Sequence, residues 1–214
     1  MRGLGKRRIV GAGRIRPLIR AAVVCALATA WAAPVAAALP PPVIGRVVPK
    51  FGPVEGGTTV TITNATHTFV EVTSVKFGAL EAASFTVNSD NSITAISPPE
   101  AAGLVDITVT NPGGTSALTN KDHFKFLPMI TNLSPSTGST AGGTIITMTG
   151  TGFGLGKSAT KVKFGTPRAI SVNCSSSTSC TVVAPAHAAG TVDVKVTVNK
   201  VSSAKTPADQ FTYS

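Results

Sequence analysis

The feature that most constrains this chain is an internal repeat. Residues 43–127 and residues 129–213 carry one pattern twice, at a nearly constant offset of 86 to 87 positions. Pro49 matches Pro135, Gly52 matches Gly138, and Gly56-Gly57-Thr58 matches Gly142-Gly143-Thr144. Val75-Lys76-Phe77-Gly78 matches Val162-Lys163-Phe164-Gly165, and Pro98 matches Pro185. Gly103, Val105 and Asp106 match Gly190, Val192 and Asp193, and Phe124 and Phe126 match Phe211 and Tyr213. Repetition of this length means two copies of one folding unit. Each copy is small but within the range that folds alone.

Both copies read as all-β. Val60 and Ile62 alternate with threonines, as do Ile146 and Met148. Val105, Ile107 and Val109 alternate with Asp106 and Thr108, and Val192, Val194 and Val196 alternate with Asp193, Lys195 and Thr197. A period of two marks strands with one buried and one wet face. Clusters of Gly, Pro, Asn and Ser separate these runs at short intervals, the signature of a sandwich or barrel. Phe77, Phe124, Phe164 and Phe211 are expected to anchor the cores. The double glycines are expected to permit positive φ before a strand, and Pro98 and Pro185 to stand at strand ends, where a lost donor is harmless. No helical period of useful length follows residue 39. The join, Leu127-Pro128, is too short to give much freedom, which predicts an end-to-end rod with limited bending.

The run Ile130-x-x-Leu133-x-Pro135-x-x-Gly138-x-x-x-Gly142-Gly143-Thr144, followed by Thr149-Gly150-x-Gly152-Phe153, Val162-x-Phe164-Gly165, Pro185, Val192-x-Val194-x-Val196 and Phe211-x-Tyr213, resembles the IPT/TIG domain. That is the immunoglobulin-like module of plexins, certain transcription factors and many bacterial secreted and surface proteins. The first copy departs from the pattern at Asn64-Ala65-Thr66-His67-Thr68, where the second has Gly150-Thr151-Gly152-Phe153-Gly154. The resemblance implies two tandem immunoglobulin-like β-sandwich domains of the E-set-like kind, at 43–127 and 129–214. It implies a use in adhesion, ligand binding or spacing, because function sits in sites grafted on such a fold.

Ahead of the repeats, Arg2, Lys6, Arg7, Arg8, Arg14, Arg16 and Arg20 precede the apolar run of residues 21–33, and then come Pro34 and the small residues Ala36, Ala37 and Ala38. This order defines a secretory signal peptide, residues 1–38, cut after Ala38 or Ala37. The alternative is an uncleaved anchor, since Ala21 to Leu39 just reaches spanning length; membrane contact is expected only in that case. Arg7-Arg8 lacks the context of a twin-arginine signal, and Cys25 lacks a lipobox before it. No hydrophobic tail or sorting motif closes the C-terminus, so covalent surface anchoring finds no support. Leu39-Pro40-Pro41-Pro42 reads as an extended spacer. The leader also accounts for most of the charge. The chain has 19 basic and 9 acidic residues. Without the seven leader cations, 12 basic residues face the same 9 acids, an ordinary balance that removes the look of a nucleic-acid binder.

Cys174 and Cys180 bracket a polar turn between two strand-like segments, residues 170–173 and 181–184. In an exported chain such a pair reads as a disulfide, and C-x5-C with no histidine or acid nearby is poor for zinc. Chemistry is otherwise hard to find. His67 and His187 fall in expected loops, and His123 precedes the last strand of its copy. None has ligand spacing or a nucleophile motif beside it. Asp106 and Asp193 are placed on an outward strand face, in a solvated or turn-bonding role. Asn88-Ser89-Asp90-Asn91-Ser92 offers too few carboxylates for a tight calcium site and reads as a hairpin turn. In the run Gly150 to Ser158 a phosphate-binding loop fails, because Thr151 stands at its first glycine position and no helix follows. Aromatic sugar platforms are disfavoured, with Trp31 in the leader and Tyr213 in a core-like position. No catalytic residue, cofactor or metal site is expected.

One asymmetry points to a partner. Residues 39–128 hold 5 basic and 7 acidic residues, whereas 129–214 hold 7 basic and 2 acidic. Val162 and Phe164 are expected to point inward, so Lys161 and Lys163 share the outward face, with Lys157 and Arg168 close in sequence. That face is either a solvated sheet surface or a contact for an anionic partner: cell-envelope polymer, lipid headgroups or acidic glycan. Nucleic acid is not expected after export. The whole then reads as a secreted or surface binding and adhesion protein whose partner is an extracellular protein, a glycan or an envelope polymer. The alternatives are a structural spacer or scaffold and, more remotely, an enzyme with an unfamiliar site.

Overall fold

A computed structural model describes residues 38–156 and 158–214. Residues 1–37 of the expected leader, with Cys25 and Trp31, and the side chain of Lys157 lie outside the described residues.

The first module contains β1 (Arg46–Val48), β2 (Phe51–Pro53), β3 (Thr59–Thr63), β4 (Ser74–Phe77) and β5 (Leu80–Glu81). It continues with β6 (Ser84–Ser89), β7 (Ser92–Ile96), β8 (Gly103–Asn111), β9 (Gly114–Thr115) and β10 (His123–Leu127). The second contains β11 (Met129–Ser134), β12 (Thr137–Gly138), β13 (Ile145–Thr151), β14 (Thr160–Phe164) and β15 (Ser171–Ser176). It ends with β16 (Ser179–Val183), β17 (Gly190–Val198), β18 (Val201–Ser202) and β19 (Gln210–Tyr213). The one helical piece among the described residues is a 3-10 turn at Pro207–Asp209.

Each module is two facing sheets. One has the order β1-β3-β7-β6 and its copy β11-β13-β16-β15. The other runs β2-β10-β8-β4-β5, with β9 on β8, and its copy runs β12-β19-β17-β14, with β18 on β17. Pro49 and Pro135 stand where the chain passes from the first sheet to the second, after which β2 and β12 pair in parallel with β10 and β19. The alternating residues then do what their pattern demands: Val60, Ile62, Ile146 and Met148 are buried, as are Ile107, Val109, Val194 and Val196. Two separate cores form, one per module.

An aromatic triad sits at the centre of each core. Phe77, Phe124 and Phe126 meet edge to face with ring centres 5.0–6.3 Å apart. Phe164, Phe211 and Tyr213 repeat the arrangement at 4.9–6.3 Å, a geometry that adds to the burial of the rings. The matched Gly52 and Gly138 lie against these triads. A Cβ on Gly52 would meet Phe124 Cζ at 3.1 Å, and one on Gly138 would meet Phe211 Cζ at 2.8 Å.

Gly142 and Gly143 have φ of +79° and +82°, but their surroundings differ. A Cβ on Gly142 would lie 2.5 Å from the Ala186 nitrogen, while Gly143 has open space. Gly143→Ala is therefore expected to cost about 1–2 kcal/mol from the left-handed backbone alone. Gly142→Ala should cost distinctly more, because backbone must move. Equilibrium denaturation of the two variants checks this, and equal losses would contradict it.

The loop where the first copy departs is closed by different means. At Gly150 a side chain would run into Phe153 Cζ, 2.6 Å away. The first copy instead places Asn64 there, and its Oδ1 accepts from the Thr66 and His67 amides at 3.1 and 2.8 Å. Phe69, two residues later than the place of Phe153, fills the core. The proline segment differs from a free spacer: Asn111 Nδ2 donates to the Pro40 carbonyl at 3.1 Å, so the segment is laid on the first module. The join is also tighter than expected, with Pro128 alone between β10 and β11. Ala102 of the first module is buried in the second core, and its carbonyl accepts from Asn199 Nδ2 at 2.9 Å.

Candidate binding face and its neighbours

Strand β14 buries Val162 and Phe164 and exposes Lys161 and Lys163, as alternation predicts. Its pairing then gathers further cations. Lys163 stands directly opposite Lys195 on β17, and on its other side it is bridged to Arg168. Arg168, Lys163 and Lys195 thus form a row across the sheet, with Lys161 two residues along β14. None of these four has an ion-pair partner among the described residues. Lys157, also expected on this face, lies outside the described residues. Lys195 was legible as an outward residue of its strand. What placed it beside Lys163 is the long-range register of β14 with β17.

The first module shows what such a sheet does with an ordinary surface. The position of Lys163 is held by Lys76, that of Arg168 by Glu81, and that of Lys195 by Thr108. There Lys76 Nζ lies 3.3 Å from Glu81 Oε1, and Ser74 donates to Glu81 Oε2 at 2.9 Å. The second module keeps the geometry and replaces the acid by a base. Like charges directly across a sheet are unfavourable, so the row is a cost to folding that a bound anion would relieve.

The cysteines form a disulfide, Cys174–Cys180. The strands are longer than the sequence suggested: β15 runs to Ser176 and β16 starts at Ser179, so the bridge joins directly paired residues inside the ladder. In the first module the same paired positions are Val87 and Ile93. The double replacement C174V/C180I keeps that apolar pair and removes the cross-link. It is expected to lower the unfolding free energy of the second sandwich by about 2 kcal/mol, the loop-closure value for so short a loop. Denaturant titration of oxidised wild type against the variant measures the loss.

The histidines fall as follows. His67, at φ +53° in its loop, has Nδ1 2.8 Å from Asp90 Oδ1, in the polar turn between β6 and β7. His187 stacks on Tyr213 with ring centres 5.0 Å apart. His123 opens β10 instead of preceding it, and its Nε2 is 3.3 Å from Asp106 Oδ1. Asp193, the repeat partner of Asp106, is engaged by Lys205, so neither recurring aspartate is merely solvated. The side-chain hydrogen bond and charge of Asp193 raise the affinity of Lys205 for its proton. Burial pushes the Asp209 carboxyl above its ordinary range. After Gly152 the glycine-rich loop leads into strand β14. An apolar groove of about 360 Å³ at the join is lined by Phe51, Pro53, Leu127, Pro128 and Met129 and by no ionisable side chain.

Two tandem all-β modules of immunoglobulin-like sandwich type, each with an aromatic triad between its sheets, define the class. The chain belongs to the IPT/TIG domain family, whose pattern matches residues 42–126 and 128–213. It is 33% identical over 147 residues to Fibrocystin-L of Mus musculus, covering 69% of this chain and 3% of that protein's length. Among solved structures it is similar to the plexin A4 extracellular region, at 20% identity and a TM-score of 0.37, over 80% of this chain and 18% of that one. It is also similar to the surface glycan-binding protein PbSGBP-B from Prevotella bryantii, at 15% identity and a TM-score of 0.42, over 74% of this chain and 37% of that one.

Proposed function

We propose that this chain is an exported, non-catalytic binding protein that docks on an anionic polymer of the cell envelope through the second sandwich, with Lys161, Lys163, Arg168 and Lys195 as the contacting cations. The observation that carries the reading is the charge replacement between repeats, from a Lys76–Glu81 pair to an Arg168–Lys163–Lys195 row on the same ladder positions. A row of unpaired cations across a flat sheet suits an extended polyanion. Lys157 is assigned to the same contact from its place in the sequence. Residues 1–38 act as the export signal in this reading, and the disulfide agrees with an oxidising compartment. The test is sedimentation of the protein with envelope fractions from its source at low and moderate salt. Saturable binding that weakens with salt is expected; no binding at low salt would overturn the proposal.

A second reading, a spacer or scaffold without a ligand of its own, is favoured by the one-residue join and the burial of Ala102 in the neighbouring core. The same sedimentation separates the two, since a spacer leaves the protein in the supernatant at every salt concentration.

A further inference from the structure

We propose that the first sandwich holds a divalent metal ion, zinc in particular, between Asp106, Asp122 and His123. One side-chain ligand atom from each of these residues lies within 4.8 Å of the others. Asp106 comes from β8 and His123 from the start of β10, directly opposite it, and Asp122 immediately precedes His123. An acidic cluster alone would say little, but Asp122 is fully buried. Its Oδ2 accepts from the Thr119 amide at 2.7 Å and from the Thr119 hydroxyl at 3.2 Å. Its Oδ1 has no hydrogen-bond partner. A buried carboxylate oxygen without a partner is costly, and the Asp122 carboxylate brings one oxygen within 4.8 Å of a second carboxylate and an imidazole.

The repeat supplies an independent comparison. In the second module the two carboxylates recur as Asp193 and Asp209; Asp209 Oδ2 accepts from the Thr206 amide at 2.8 Å just as Asp122 does from Thr119, and Asp209 Oδ1 likewise has no hydrogen-bond partner, so what sets the first module apart is the imidazole of His123. There a cation is built in: Lys205 binds Asp193, and its charge also acts on Asp209. The position of Lys205 in the first module is Leu118, uncharged and 65% exposed, and the position of Gln210 is His123. The first module has therefore lost the ammonium and gained an imidazole at the same two carboxylates. Two carboxylates with one imidazole suit a borderline ion such as zinc, with water completing the shell, better than calcium or magnesium, which take more oxygens. The ion would tie β8 to the entry of β10.

The test uses the full chain, stripped with chelator and titrated with zinc chloride by calorimetry, with a melting scan alongside. One equivalent is expected to bind. At a hundredfold excess over Kd the melting transition of the first sandwich should rise by roughly 10 °C, and the ring resonances of His123 should move while those of His67 and His187 stay. H123Q, which installs the residue of the second module, and D106N should each weaken binding at least about 10-fold. L118K should remove zinc binding while leaving the melting point of the zinc-free protein unchanged or raised, because it restores the ammonium. Absence of both heat and melting shift up to millimolar zinc would overturn the proposal. So would zinc binding that survives H123Q and D106N, or that follows His67 or His187.

Discussion

Phe164→Ala is expected to lower the stability of the second sandwich by about 3–5 kcal/mol, the range for removing a fully enclosed aromatic ring. Phe164 is wholly buried and touches both Phe211 and Tyr213 edge to face, so the substitution leaves a cavity and breaks two aromatic contacts. Small domains hold only a modest margin over the unfolded state, and the variant module should be largely unfolded near body temperature. The first sandwich has its own triad around Phe77 and Phe124, so its transition should move little. Calorimetric scans of Phe164→Ala and of Phe124→Ala should therefore lower different transitions. A single transition lowered equally by both would show that the modules unfold as one unit, with the burial of Ala102 in the second core outweighing the separation of the two cores.

The second large effect is electrostatic. K161E/K163E is expected to reduce affinity for an anionic polymer at low salt by at least ~30-fold, since each of the two cations lost contributes about 1 kcal/mol near an anionic surface and every 1.4 kcal/mol is tenfold. Stability should change by less than about 1 kcal/mol, because both side chains are exposed and surface charges contribute little to folding. R168E separates the two properties more sharply. It recreates the Lys76–Glu81 arrangement of the first module on β14, so it should weaken binding while leaving stability equal or a few tenths of a kcal/mol higher. A loss of stability parallel to the loss of binding would mean that the row serves the fold instead.

Most of the fold was legible because its signals are local. Alternation in residues 59–63 and 190–198 declares strands, and the repeat declares two modules, since a pattern that recurs with its glycines and aromatics must build the same core twice. The same locality found Lys161, Lys163 and Arg168, which one strand and its short following turn bring together. What escaped was register across long separations. Lys195 and His123 were each visible in the sequence, but their positions opposite Lys163 and Asp106 depend on how β17 meets β14 and how β10 meets β8. Ligand spacing is a sequence-local test, and it passes over a triad whose members are joined by a ladder. The extra length of β15 and β16 around the cysteines escaped for another reason: serine and threonine favour turns when isolated, and here the ladder resumes past a bulge at Ser175, with Ser176 paired to Ser179.

In the proposed function the cation row of the second sandwich is the contact with an anionic partner. Its most direct test is the affinity of the wild-type chain and of K161E/K163E for one defined anionic envelope polymer, measured across a series of sodium chloride concentrations. Log K should fall with log salt for the wild type, and the variant's slope should be shallower by about two, one for each cation lost from the contact. Equal slopes for the two proteins, or wild-type binding indifferent to salt, would contradict it.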